Sequence, residues 1–112
     1  MQNIHELYPL LAHGTFEISP KELQSVSWQD LCLVDVRNAS EWQEGFINGA
    51  INIPLMRLLM SAPYELEANK VIVTYCHSGN RSSLAAKQLR SLGFQSLTLE
   101  GGIENWRAVN GK

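Results

Sequence analysis

The sequence predicts an α/β fold: a doubly wound, mostly parallel central sheet of about five short strands with helices on both faces. Two observations carry this. Leu31-Cys32-Leu33-Val34-Asp35-Val36 and Lys70-Val71-Ile72-Val73-Thr74-Tyr75 are nearly unbroken apolar runs, the pattern of strands buried on both faces. Segments with helical signals separate the candidate strands from one end of the chain to the other, as βαβ units require.

The elements follow in order. Leu7 to Ala12 suits a short helix, with Gly14 ending it, and Phe16 to Ile18 a short strand. Ser19-Pro20-Lys21-Glu22 is a helix start, with Ser19 as N-cap, Pro20 at the first helical position and Glu22 three residues after the cap. Leu31 to Val36 is the first long strand. Asn38 or Ser40 caps a helical turn through Trp42 that Gly45 closes. Ile47 to Ile53 reads as a strand ended by Pro54, and Leu55 to Met60 as a helix before Pro63. Lys70 to Tyr75 is the second buried strand, and Cys76 to Arg81 a polar loop. Ser82 to Leu92 has Leu84, Ala85, Leu89 and Leu92 at helical spacing, with Gly93 as its stop. Ser96 to Leu99 is a last short strand. Gly101-Gly102 turns the chain into a helix over Ile103 to Val109.

The 112 residues are expected to form one domain, with residues 1–14 a helical extension packed on it. The net charge of -2 gives no footprint for nucleic acid or an anionic membrane. Met1 to Leu11 lacks the basic start and apolar run of a signal peptide, and no apolar stretch is long enough to span a bilayer. A cytoplasmic location is therefore expected. The two cysteines, Cys32 and Cys76, are too few for a disulfide framework and read as free thiols. His5 and His13 are isolated, and no His/Cys spacing suggests a metal site. No cofactor is called for.

Context separates the cysteines. Cys32 sits among Leu31, Leu33 and Val34 and reads as a small core residue. Cys76 stands where a buried strand meets a polar loop, and ligand sites in such folds lie beyond the carboxyl ends of strands. A helix begins at the loop's far end, so unpartnered first-turn N–H groups and the helix dipole favour an anion there. Gly79 lets the loop curl into a concave cradle, and Arg81 adds a permanent charge. Together these stabilise thiolate over thiol and lower the pKa of Cys76. The thiolate is the nucleophile, and the same cradle holds a persulfide.

These residues give the sequence a resemblance to the rhodanese (thiosulfate sulfurtransferase) domain family, in its small single-domain type, from about Glu17 to Trp106. Asp35-Val36-Arg37 is similar to the family's DVR. Glu41-Trp42-Gln43-Glu44-Gly45, with Ile47, Gly49, Ala50, Asn52, Ile53 and Pro54, is similar to its E-[FYW]-x-x-G-H-I-x-G-A-x-N-I-P stretch, except that Phe46 replaces the usual His. Cys76 to Arg81 resembles the active-site loop, and Gly101-Gly102 with Trp106 the C-terminal G-G-x-x-x-W. The resemblance implies a sulfurtransferase that moves a sulfane sulfur from a donor such as thiosulfate to a thiophilic acceptor through a Cys76 persulfide. Its implied partners are a small anionic donor and a cyanide, thiol or protein acceptor, with the chain a monomer or weak dimer.

Four residues separate Cys76 from Arg81. Cysteine phosphatases of similar architecture carry one more, so the shorter loop disfavours a phosphatase or arsenate reductase. A sulfur-relay module that takes sulfur from a partner protein remains open beside the enzyme. His77, Ser78, Gly79, Asn80, Arg81 and Ser82 are the expected donor-binding residues, with Ser78 and Asn80 as loop hydrogen-bond formers. His77 is open between loop electrostatics and a solvated position. Asp35, Arg37 and Glu41 are expected to be structural support, with Asp35 accepting hydrogen bonds from nearby loops and Arg37 paired to Glu41. Arg57 is a candidate for meeting the donor at the site's mouth, although a solvated helix face is the simpler reading. Met56, Leu59 and Met60 are read as core rather than a docking rim. Lys87 and Arg90 suit the end of their helix and receive no other role.

Overall fold

The computed structural model describes residues 1–13 and 16–111, so the expected helix stop at Gly14 lies outside the described residues. The main sheet has five strands, all parallel: β2 (Glu17–Ile18), β4 (Leu31–Asp35), β5 (Ile51–Asn52), β6 (Val71–Tyr75) and β7 (Gln95–Leu99), in spatial order β2-β7-β6-β4-β5. The helices are α1 (Ile4–Ala12), α2 (Pro20–Ser25), α3 (Ala39–Gln43), α4 (Leu55–Glu65), α5 (Asn80–Ser91) and α6 (Gly102–Asn110).

Alternation along the strands divides the interior into two cores. Leu31 and Leu33 of β4, Val71, Val73 and Tyr75 of β6, and Leu97 and Leu99 of β7 pack with Ile4, Leu23 and Ile103 from α1, α2 and α6. Val34 and Ile72 point to the other face, where Leu58 and Ala62 of α4 and Ala85 and Leu89 of α5 meet them, together with Cys76. The predicted doubly wound sheet with helices on both faces is the observed fold, and the sheet is wholly parallel.

Several local expectations are corrected. Ile47 to Ile53 contributes only Ile51–Asn52 to the sheet, because the Ala50 N–H closes a turn onto the Ile47 carbonyl (3.1 Å) before pairing begins. α4 runs through Pro63 to Glu65, held by Leu58, Ala62 and Leu66 against the second core. A proline removes one N–H from a helix, and here tertiary burial outweighs that loss. The buried face of α5 is Ser82, Ala85, Ala86 and Leu89, whereas Leu84 and Leu92 are exposed. Leu58, not Met56 or Met60, anchors α4; both methionines face outward. Cys32 is only half-buried at the rim of the second core, where burial raises its pKa against the opposing Lys70 charge. A two-stranded ribbon, β1 (Gln2–Asn3) with β3 (Val26–Ser27), ties the N-terminal segment to the body. Ser19, Pro20 and Glu22 form the predicted capping box, with the Glu22 N–H donating to Ser19 Oγ and the Ser19 N–H to Glu22 Oε1.

Among the described residues no helix is long and apolar enough to cross a membrane.

Candidate active site

β4 and β6 lie side by side, with Asp35 beside Tyr75, so both chains leave the sheet at the same edge. After Tyr75 the chain turns at Cys76 and enters α5 at Asn80, with Gly79 as N-cap at φ +115°. A side chain disfavours this backbone angle, which glycine adopts freely. Asn80 and Arg81 thus belong to the first turn of α5, not to the loop, and the loop proper is Cys76 to Gly79.

Cys76 is 2 % exposed, and its Sγ accepts a hydrogen bond from the Gly79 N–H at 3.1 Å. Burial pushes its thiol pKa up. The Ser82 hydroxyl and the backbone N–H groups of Ser82, Gly79 and Arg81 pull it down and prevail, leaving the thiol below its ordinary value. The cradle is thus made of amides and one hydroxyl at a helix N-terminus, where anions are favoured.

Ser82 is fully buried. Its Oγ lies 2.7 Å from Thr98 Oγ1 and 3.3 Å from the Gly79 carbonyl oxygen, and the Thr98 hydroxyl lies on β7. Sequence reading missed Thr98. Strand alternation held the signal, since Ser96 and Thr98 face α5 while Leu97 and Leu99 face the other core.

The loop's carbonyls turn the other way. The Ile103 N–H donates to the Cys76 carbonyl at 2.9 Å, and the Glu104 N–H to that of His77 at 3.1 Å, so the first turn of α6 backs the loop. Gly102 makes the approach possible. A Cβ there would stand 2.4 Å from the His77 carbonyl oxygen and 2.5 Å from that of Cys76, at a backbone φ of +65°. His77 itself is exposed and pairs through Nε2 with Glu104 at 2.8 Å.

The three supporting residues rearrange the expected pairing. Arg37 does not meet Glu41. Its Nη2 donates to Asp35 Oδ2 at 2.7 Å and to the Gly45 carbonyl at 2.7 Å, while its backbone N–H donates to Asp35 Oδ1. Asp35 and Arg37 are both buried, and the guanidinium lies over the Tyr75 ring. Turning back two residues to Asp35 keeps Arg37 in this interior network. Glu41 instead holds Arg81, with Nη1 to Oε1 at 2.7 Å and Nη2 to Oε2 at 2.9 Å. Hydrogen bonds from Arg81 lower the Glu41 pKa to about 2. The permanent charge expected beside Cys76 is therefore carried by an ion-paired arginine. It still reaches the sulfur, since a hydrogen bond to Cys76 and the thiolate charge help raise the Arg81 pKa.

Arg57 pairs with Glu65 on the outer face of α4. Arg90 and Lys87 do more than suit a helix end. Arg90 stacks 3.8 Å from the Phe16 ring centroid and donates to the Ser96 carbonyl, and Lys87 lies over the same ring. Phe46 stacks on Trp42, centroids 3.9 Å apart and nearly parallel. Among the described residues no cluster of His, Cys, Asp and Glu is grouped to hold a metal ion.

A parallel sheet carrying a cysteine loop on a helix N-terminus defines a class, and comparison with known proteins gives the family. The family model for the Rhodanese-like domain matches residues 19–109, and the chain belongs to that family. An uncharacterized protein of Synechocystis is 44% identical over 80% of this chain and 51% of its own length. A thiosulfate sulfurtransferase of Pseudomonas savastanoi pv. phaseolicola is 32% identical over 82% of this chain and 87% of its own length. A rhodanese-related protein of Thermoplasma volcanium has a solved structure that superposes with a TM-score of 0.76 at 32% identity, covering 83% of this chain and 91% of that one. The chain thus spans about half the length of its Synechocystis relative.

Proposed function

We propose that this chain is a sulfurtransferase whose sulfur carrier is Cys76, with residues 1–112 acting as one rhodanese-like domain and residues 1–14 as a docked extension. The observation that carries this reading is the sulfur's setting. The Gly79 N–H donates to Sγ at the N-terminus of α5, and hydrogen bonds outweigh burial to favour thiolate.

A thiosulfate-type donor enters the cradle formed by residues 77–82. The Cys76 thiolate attacks its outer sulfur. A new S–S bond forms to Cys76, the donor's own S–S bond breaks, and sulfite leaves with the electron pair. The product Cys–S–S⁻ keeps one negative charge, carried an atom further from the chain and still within reach of inward-facing N–H groups. A thiophilic acceptor, cyanide in an assay and a thiol or protein in the cell, then attacks the outer sulfur and regenerates the thiolate. Covalent modification between the halves makes the kinetics ping-pong. Asp35 and Arg37 hold the edge of the sheet on which the loop stands. Free cysteines suit a reducing compartment such as the cytoplasm.

Intact mass spectrometry after thiosulfate treatment tests the reading. A gain of one sulfur, removed by cyanide and absent in Cys76→Ser, is expected. No gain with any sulfane donor overturns it. Stoichiometric loading from a protein persulfide with negligible thiosulfate turnover assigns the relay role instead.

A further inference from the structure

Glu41 and Arg81 meet fork to fork, 40 residues apart in sequence, each carboxylate oxygen taking one terminal guanidinium nitrogen. This bidentate geometry is the one a guanidinium also offers to an oxyanion such as phosphate or sulfate. Here it is already occupied. The carboxylate is held in place from its own side too, since the Asn38 N–H donates to Glu41 Oε1 at 3.2 Å across the first turn of α3. A tethered ligand of this kind competes at an effective concentration of about millimolar or more. The pair is neutral as a unit, so an arriving anion meets the N–H groups of Gly79, Arg81 and Ser82 and the Ser82 hydroxyl, while the Arg81 guanidinium that also reaches the sulfur is already compensated.

We propose that Glu41 is a specificity-determining residue that masks Arg81 and thereby weakens the hold of the Cys76 cradle on tetrahedral oxyanions. The proposal deepens the sulfur-carrier reading and rests on it for its purpose. A cytosol holds abundant phosphate, and a thiolate cradle with a bare arginine would be occupied by it. With Glu41 in place the amides hold a single anionic sulfur unaided, whereas a tetrahedral oxyanion, phosphate or thiosulfate alike, gains nothing from Arg81 without displacing the carboxylate. A donor that reaches Arg81 must displace the carboxylate, so weak retention of the donor and ready release of sulfite follow from the same contact.

Alkylation of Cys76 by iodoacetamide, with phosphate as protectant at constant ionic strength, tests this. Each variant is assayed at a pH matched to its own thiol pKa. Glu41→Gln removes the charge yet retains a residue type that serves at the same capping position of α3. Half-protection by phosphate is expected at a concentration at least ~10-fold lower in Glu41→Gln than in the unaltered protein, a shift of about 1.4 kcal/mol. The gain should vanish in Glu41→Gln/Arg81→Gln. Equal protection in the two proteins, or a gain that persists in the double variant, overturns the proposal. Should Glu41→Gln fail to fold, Glu41→Asp, with the same charge on a shorter reach, must move in the same direction or the proposal fails. Alkylation needs only a reactive thiol. Failure of the unaltered protein to take up sulfur would therefore overturn the carrier reading by itself and leave the phosphate result standing.

Discussion

Replacing Ser82 by alanine removes the hydroxyl from a cradle whose other members are backbone N–H groups and the ion-paired Arg81 guanidinium. The Ser82 hydroxyl has one proton and three neighbours able to accept it: Thr98 Oγ1 at 2.7 Å, the Gly79 carbonyl at 3.3 Å, and the Cys76 sulfur. When the sulfur is charged it is the strongest acceptor of the three. Thr98 then donates to Ser82, leaving the Ser82 proton for the thiolate. A hydrogen bond to a charged group contributes about 1.5–3 kcal/mol, and one pKa unit corresponds to about 1.4 kcal/mol. Ser82→Ala should therefore raise the Cys76 pKa by about 1–2 units. The pH dependence of the iodoacetamide rate, or thiolate ultraviolet absorbance, measures it. Thr98→Val keeps the Ser82 hydroxyl and loses only its donor, so a smaller rise is expected. A lowered folded-state pKa adds stability that is complete above the unfolded thiol value of about 8.5 and is lost as pH falls through the folded value. Ser82→Ala should accordingly flatten the alkaline side of the stability profile. A Cys76 pKa unchanged within ~0.3 units in Ser82→Ala would refute the assignment of this hydroxyl to the thiolate.

Gly102→Ala forces a Cβ against two loop carbonyls at a strained φ, costing about 1–3 kcal/mol in backbone conformation alone; sulfur loading by mass spectrometry should slow sharply, and a loading rate equal to the unaltered protein's would show that the loop yields without consequence. Asp35→Ala leaves the buried Arg37 guanidinium without its partner and should cost about 3–5 kcal/mol in urea unfolding, whereas full stability with lost turnover would make Asp35 part of the chemistry. The Glu41 pKa is lowered to about 2 in the fold, so its contribution to stability is complete above the ordinary carboxylate value of 4.5 and is lost as pH falls toward 2; thermal melting of Glu41→Gln should depend less on pH over that interval. Arg57→Ala breaks an exposed pair on α4 and should leave the KM for thiosulfate unchanged.

Elements buried on both faces could be read from the chain because burial dictates residue type at every position. β4 and β6 are such elements, and both occur within a residue of where their apolar runs place them. The start of α2 was equally readable, since Ser19 and Glu22 act within one helical turn. Contacts across the chain were not. Whether Glu41 meets Arg37 or Arg81 depends on how α3 lies against α5, and local spacing favoured the wrong partner. Ile47 to Ile53 has strand-like composition, but two of those residues pair in the sheet and the rest turn toward it. The ribbon of β1 and β3 has two residues on each side, too few for any periodicity to register. In the candidate site, the positions of Cys76 and the loop were legible. Thr98, Glu104 and the amides of residues 103 and 104 were not, because they act through backbone or through a second residue.

The carbonyls of Cys76 and His77 rest on the N–H groups of Ile103 and Glu104. The partners lie 27 residues further along the chain in both cases. A ribosome makes Cys76 well before it makes them. Until α6 has formed and docked, those two carbonyls lack the partners that back the loop. The setting of Cys76 is thus completed only with the last helix described here, which couples it to completion of the fold.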